Sequence, residues 1–311
     1  MIFEKVSSVW SIPSDMQGLR ADQYLVRRIG RISRERAQRI ILAKDFLLDE
    51  QAIKPSARVK EGQKARLIRF APDRSEDIKE FSVGIIYEDD EMLVVNKPAG
   101  LSIHPSANCL YRTLTHWLRQ NFLGQKINPC HRIDKETSGI VVCAKTRKME
   151  SIIKKAFLNK KVTKTYVAVV SGLCQSQTID IPLGLQKDKG VVAIRMVKDL
   201  AGKAAKTRVK PIFKDEAANR TLLMCRPYTG RQHQIRAHLS LIGHGIISDK
   251  LYSHGDAFFD EMCRGNDEIL KELVLPRHAL HAASLKFMVG HKKYRFKCPI
   301  PKDLLSLIEK P

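Results

Sequence analysis

The stretch from His131 to Ala144 constrains the fold of this chain more than any other. Its second half, Gly139-Ile140-Val141-Val142-Cys143-Ala144, carries no charged or amide side chain. A short apolar run bounded by a Thr-Ser-Gly turn reads as a strand buried on both faces, so the rest of the chain must cover it from two sides. The first half, His131-Arg132-Ile133-Asp134, hangs an arginine and a carboxylate at the mouth of that strand. Catalytic groups are often carried on loops at the ends of rigid buried elements.

On either side of this segment the pattern alternates between short strands and isolated helices. Val83 to Tyr87 and Met92 to Val95 read as strands around the Glu88-Asp89-Asp90-Glu91 turn, followed by an Asn96-Lys97-Pro98-Ala99-Gly100 loop. Thr113 is placed to cap a helix with Leu114, Trp117 and Leu118 on its inner face. Met149, Ile152, Ile153, Ala156 and Phe157 mark an amphipathic helix, and Val162 to Val170 a strand carrying Tyr166. Strands not separated by regular helices imply an α+β fold with a mixed, largely antiparallel sheet.

Ahead of this lies a small basic module, expected over residues 1–75 with its core at about 17–70. Ala21, Tyr24, Leu25 and Ile29 recur at helical spacing, with Gly30 placed to end the helix and Ser33 to cap the next. That second helix turns Ala37, Ile40 and Ile41 inward and carries Arg34, Arg36, Arg39 and Lys44 against a single Glu35. A hairpin from Phe46-Leu47-Leu48 and Val59 to Ile68 completes the module. Residues 71–80, with Pro72 and mixed charge, read as a linker to a larger domain over 81–311.

Charge decides the class of partner. Lys and Arg number 55 against 33 Asp and Glu, a net charge of +22. Such an excess favours a phosphate-rich partner, and one-signed charge along a helix is the footprint of a nucleic-acid backbone contact. The seven cysteines are scattered with no Cys-x-x-Cys pair, which reads as reduced thiols in a cytoplasmic protein. No apolar run approaches the roughly 20 residues of a membrane helix, and the amino-terminal residues do not resemble a signal peptide.

Three segments can carry chemistry: the Asp134 loop, Lys164-Thr165-Tyr166, and Thr229-Gly230-Arg231-Gln232-His233-Gln234-Ile235-Arg236-Ala237-His238. A largely buried Asp needs a cationic partner, and Arg236, anchored between Ile235 and Leu239, is the candidate. Taken singly, each has a plain structural reading as a turn acid, a packed tyrosine or a structural histidine. The spacing of His233 and His238 does not suit two metal ligands on one helical face. Phosphate-loop, dinucleotide-binding and nucleophile-elbow patterns are missing. What is left is a cofactor-free reaction run by one acid.

Together these segments resemble the RluA-type pseudouridine synthases. His131-Arg132-Ile133-Asp134 is similar to that family's HRLD motif. Asn96-Lys97-Pro98-Ala99-Gly100-Leu101 with His104-Pro105 resembles its NKPAG-L-x-x-HP stretch. Gly230-Arg231-Gln232-His233-Gln234-Ile235-Arg236 resembles GRTHQIR, and Arg277-His278-Ala279-Leu280-His281-Ala282 its R-x-x-LHA element. Tyr166 falls where the family has its tyrosine. Two departures stand in Gly243-His244-Gly245-Ile246-Ile247-Ser248-Asp249, where Gly245 replaces a proline and Ser248 a glycine. The amino-terminal module resembles an S4 RNA-binding domain, as in ribosomal large-subunit members.

The resemblance implies isomerisation of uridine to pseudouridine in RNA, large-subunit (23S) ribosomal RNA first, free or in a pre-ribosomal particle, by a monomeric enzyme without cofactor. It makes Asp134 the essential acid, either attacking C1′ or taking a ribose proton. It gives Arg236 the role of its cation, and Arg132 that of filling the space the base leaves. Tyr166 would pack against the displaced base and could take the C5 proton. Arg34, Arg36, Arg39, Lys44, Lys97, His131, Arg231 and His233 are the expected RNA contacts. A transfer-RNA synthase of the same family and an inactive S4-type RNA-binding factor are the alternatives. Intact Asp134, Tyr166 and Arg236 count against the second.

Overall fold

The computed structural model describes residues 5–30, 32–70, 81–106, 109, 111–186, 194–263 and 266–308. The chain divides into two compact units, Met1–Arg74 and Ser75–Pro311. The expected linker over 71–80 lies outside the described residues.

The smaller unit runs β1 (Lys5–Ser11), α1 (Ala21–Ile29), α2 (Arg34–Leu42), β2 (Phe46–Leu48), β3 (Gln51–Ala52) and β4 (Lys64–Phe70). Its helices end as their sequence dictates. Gly30 takes the left-handed conformation at the end of α1, with φ of 78°, and the Ser33 side chain accepts the Arg36 N–H at the start of α2. Tyr24, Leu25, Ala37, Ile41, Phe46 and Leu67 form the core. The expected hairpin is part of a four-stranded sheet in the order β1-β4-β2-β3. Strand β1 pairs with β4 along its whole length. Three serines in a seven-residue strand erase the apolar alternation by which it could have been read.

The larger unit follows as β5 (Gly84–Glu88), β6 (Met92–Lys97), α3 (Leu114–Asn121), β7 (Asn128–Pro129), β8 (Ser138–Ala144), α4 (Arg147–Leu158) and β9 (Thr163–Ser171). Next come β10 (Gln177–Asp180), β11 (Leu183–Leu185), β12 (Met196–Lys198), β13 (Lys206–Asp215), β14 (Arg220–Pro227), α5 (Gln234–Leu241) and α6 (Gly255–Cys263). The last elements are β15 (Leu280–Val289), β16 (Lys292–Lys297) and α7 (Lys302–Leu305). The main sheet has the order β10-β13-β14-β9-β15-β8-β6-β5, with β16 added to β15 and β7 to β8. Its pairs are antiparallel except β15 with β8. This is the mixed, largely antiparallel α+β layout expected. No helix among the described residues is long and apolar enough to cross a membrane.

Every residue of β8 is buried, as its unbroken apolar run requires. Helix α4 covers one face, packing Met149, Ile153 and Ala156 against Ile140 and Val142. Helix α3 covers the other, packing Leu114 and Leu118 against Val141 and Cys143. Each such aliphatic side chain contributes about 1.5–3 kcal/mol on burial. Gly139 fixes how closely β8 approaches β15. It has φ of +111°, and a Cβ there would lie 2.4 Å from the Ala282 carbonyl oxygen. No other residue permits the contact that brings the Asp134 loop beside the strand carrying Ala282.

Candidate active site

The site lies where the loop before β8, the middle of β9 and the start of α5 converge. Arg132, Asp134, Lys164, Tyr166, Arg231, His233 and Arg236 line one cavity of about 400 Å³, large enough for a small ligand. Its strand-borne residues are fixed by register. Tyr166 on β9 pairs with Cys225 and Ala282 on the two neighbouring strands, which fixes its backbone position and the face its ring is on.

Asp134 is held from the other side of the cavity. Arg236 Nη1 donates to its Oδ2 at 3.1 Å, with the Asp134 side chain 25% exposed and that of Arg236 9% exposed. The arginine is itself clamped. Its Nε and Nη2 donate to the two carboxylate oxygens of Asp249, at 2.7 and 2.9 Å. Asp249 also accepts the backbone N–H of Leu251 and Tyr252. The Tyr252 ring lies 5.1 Å from the guanidinium carbon. One guanidinium thus bridges a buried acid and a cavity-facing one, the bidentate geometry for which arginine is suited.

Charge in the site follows from this arrangement. Burial raises the Asp134 pKa. His233, Arg236 and His278 pull it down by more, and it lies below the ordinary carboxylate value. Burial and the nearby Arg236 hold both His233 and His278 at about 4, so at neutral pH Arg236 is the cation that keeps Asp134 ionised. Asp249 is held at about 2, its burial outweighed by the hydrogen bonds and charge of Arg236. Tyr166 is pushed up well above its usual value, by burial first and then by Asp134. Its hydroxyl is therefore protonated in the resting site.

The loops around Asp134 are tied together from below. Lys97 is fully buried. Its ammonium donates to the carbonyls of Pro98, Leu101 and Lys135 at 2.8, 2.7 and 3.0 Å, binding the Asn-Lys-Pro turn to the residue after Asp134. Lys97 was expected to contact RNA, and the structure corrects this. An ammonium with three carbonyl acceptors and no exposed surface cannot reach a phosphate. Glu136 accepts from Lys250 and from the His278 N–H, and His278 Nε2 shares a hydrogen bond of 2.8 Å with the Thr137 hydroxyl.

One other expected contact is also redirected. His131 lines the cavity, but its Nε2 accepts the Val142 N–H at 3.0 Å and its ring stacks on Phe157. Its polar edge serves strand β8. In α2, Arg34 has an acidic partner outside its own helix and stays exposed. Its Nε donates to the buried Asp22 at 3.1 Å, beside Arg20 and Gln38. Arg36, Arg39 and Lys44 are exposed. Arg132 is exposed at the cavity wall. Arg231 donates through Nε to the Ala204 carbonyl. His233 has φ of +50°, a conformation uncommon outside glycine, and its Nδ1 lies 3.2 Å from the Tyr252 hydroxyl.

Sequence reasoning named Asp249 as a retained motif residue without giving it a function. Lys164, named only as part of its segment, donates through Nζ to the Thr229 carbonyl. Gln234, named within its motif without a role, holds the turn before α5 through Thr229, Arg231, Lys206 and Thr207. Tyr252 carried no sequence signal at all. The Ser248 departure has a local account. Its φ of 58° is where glycine is the ordinary residue, and the Ser248 hydroxyl oxygen offsets the strain by accepting the Leu275 N–H at 3.0 Å.

These buried groups set the response to acid. His131, held at about 3, and His233, His278 and His281, each at about 4, all lie below the ordinary 6.5 mainly through burial. Between those limits the unfolded chain binds more protons than the folded one, so stability falls as pH drops through the range. Asp134 and Asp249, whose pKa values are depressed, add a further loss below about pH 4. The Tm at about pH 5 is expected to be lower than at about pH 7.5 by roughly 10 °C. A thermal-melt series showing no change between those pH values would contradict this.

Comparison with known proteins gives a consistent picture. The family model for RNA pseudouridylate synthase matches residues 91–241, a span that holds Asp134, Tyr166 and Arg236. An uncharacterised RNA pseudouridine synthase of Helicobacter pylori is 31% identical over 291 residues, 92% of this chain and 94% of that protein. The ribosomal large subunit pseudouridine synthase D of Zymomonas mobilis is 31% identical over 316 residues, 96% of each chain. Among solved structures, human RNA pseudouridylate synthase domain containing 1 superposes with a TM-score of 0.58 at 25% identity. That match covers 73% of this chain and 88% of the human one.

Proposed function

The chain belongs to the RNA pseudouridine synthase family, and from that premise we propose that it isomerises specific uridines of large-subunit ribosomal RNA, with Asp134 as the group that starts the reaction. The observation that carries this reading is the Asp134–Arg236–Asp249 bridge at the wall of the cavity. It supplies an ionised carboxylate, open on one side and rigidly backed on the other. The reaction breaks the N1–C1′ bond, turns the base and forms a C5–C1′ bond. Attack on C1′ and removal of a ribose proton both need the carboxylate charged, and Arg236 supplies the field for that.

The target uridine must leave its stack to reach Asp134, at a cost of about a few kcal/mol. In this reading the Arg132 guanidinium occupies the space the base vacates, since a planar cation stacks on bases and binds phosphate. Tyr166 packs against the extruded base, and its protonated hydroxyl takes part only once the base is beside it. His233 and Arg231 stand at the rim. Exposed Arg36, Arg39 and Lys44 of the S4-like amino-terminal unit add backbone affinity. End-to-end similarity to a ribosomal large-subunit enzyme supports ribosomal RNA as the substrate.

Incubation with unmodified large-subunit RNA and chemical mapping of pseudouridine tests the reading. Discrete sites should appear with the wild type. The Tyr166→Phe variant should bind the RNA with about unchanged affinity and turn over roughly 10²-fold more slowly or worse. A normal rate in that variant would leave the ring as packing alone. A wild type that modifies no uridine in this RNA would reject the substrate assignment.

A further inference from the structure

We propose that the face of the main sheet turned away from the catalytic cavity is a second RNA surface, which binds the phosphate backbone of a helix in the folded substrate. This rests on the reading of the chain as an RNA pseudouridine synthase. The side of the sheet follows from strand alternation. Tyr166 of β9 and Pro227 of β14 line the cavity, so Arg226 points to the opposite side. In β15 and β16, Leu285, Phe287, Tyr294 and Phe296 are buried in the core with α4. Lys286, Lys293, Arg295 and Lys297, which alternate with them, therefore share the far side with Arg226. Arg208 of β13 is directly opposite Arg226 and completes the set.

The register on this face is unusual. Arg208 faces Arg226 across one strand pair, and Lys286 faces Arg295 across another. Like charges directly opposite one another destabilise a sheet. No carboxylate lies within ion-pair distance of these six residues among the described residues. The sheet supplies an acid elsewhere, as Asp180 opposite Lys206 shows, with an ion pair of 2.8 Å. Lys286 is surrounded by Arg295, Lys293, Arg226 and Lys297, and their charge lowers its pKa. Arg226 lies 5.9 Å from the exposed Tyr228 ring, an aromatic and cationic pair suited to nucleic acid. From Arg208 to Arg295 is four inter-strand steps, roughly 19 Å, the scale of a nucleic-acid duplex rather than of a single phosphate. Repulsion left uncompensated in two register pairs is relieved when the phosphates of a polyanion neutralise the face, and the polyanion's own counterions are released to solution.

The test exploits that repulsion. In the full chain, Arg208→Glu with Arg295→Glu turns both like-charge pairs into opposite-charge pairs, so the double variant should fold with an equal or higher Tm. Its affinity for a short RNA duplex of G and C alone, which holds no uridine, should fall roughly ten-fold or more at about 0.15 M salt, with a shallower salt dependence. Its pseudouridine formation should fall on full-length large-subunit RNA and hold on a short fragment containing a mapped target. Unchanged duplex affinity, or equal loss on fragment and full-length RNA, would overturn the proposal. If the wild type modified neither RNA, the catalytic reading would fail, while the duplex measurement would still decide this surface.

Discussion

Replacing Asp134 by Asn should lower pseudouridine formation by ~10³-fold or more while leaving the fold intact. The amide has the shape of the carboxylate and can still accept the Arg236 Nη1 hydrogen bond, now at 3.1 Å. It has no charge with which to attack C1′ or take a proton. Arg236 is not orphaned in the variant, because its bidentate bond to Asp249 stays in place. The Tm should therefore move by no more than about 2 °C, because Arg236 keeps a hydrogen-bond acceptor on both sides. Activity and stability are separable at this position, which makes the variant a clean probe of chemistry. Near-normal turnover would remove Asp134 from its role.

Asp249→Asn should do the reverse to stability. Asp249 is fully buried, accepts two N–H groups of Arg236 and caps the turn at Leu251 and Tyr252. An asparagine can accept with one oxygen only and brings an NH₂ group toward a guanidinium. Breaking a buried ion pair by removing one partner costs about 3–5 kcal/mol. In a domain of this size that is a Tm fall of roughly 10 °C. Turnover should fall as well, because the guanidinium that fixes Asp134 loses its own support. An unchanged melting temperature in this variant would mean that Arg236 is held by something other than this pair.

The fold was legible in the sequence where one element carried one signal. The unbroken apolar run of β8 specified a strand covered on both faces, and α3 and α4 occupy those faces. Thr113 and Ser33 cap the helices they precede. Strand β1 was hidden because serine occupies the positions whose alternation would have marked it. The meeting of Asp134 and Arg236 could be argued from the cost of a buried acid alone. The second acid could not, because nothing in a sequence shows that one guanidinium serves two carboxylates. Lys97 illustrates the opposite difficulty. A lysine in a basic chain reads as a phosphate contact until a turn is seen to aim three carbonyls at it. His131 shares that limit, since its partner, Val142, comes from a separate element.

The most direct measurement is a map of pseudouridine in large-subunit ribosomal RNA from cells lacking this chain, repeated after return of the wild type and of the Asp134→Asn variant. The account predicts one or a few uridines unmodified in the deletion, restored by the wild type and left unmodified by the variant. Restoration by the Asp134→Asn variant, or an RNA fully modified in the absence of the chain, would contradict it.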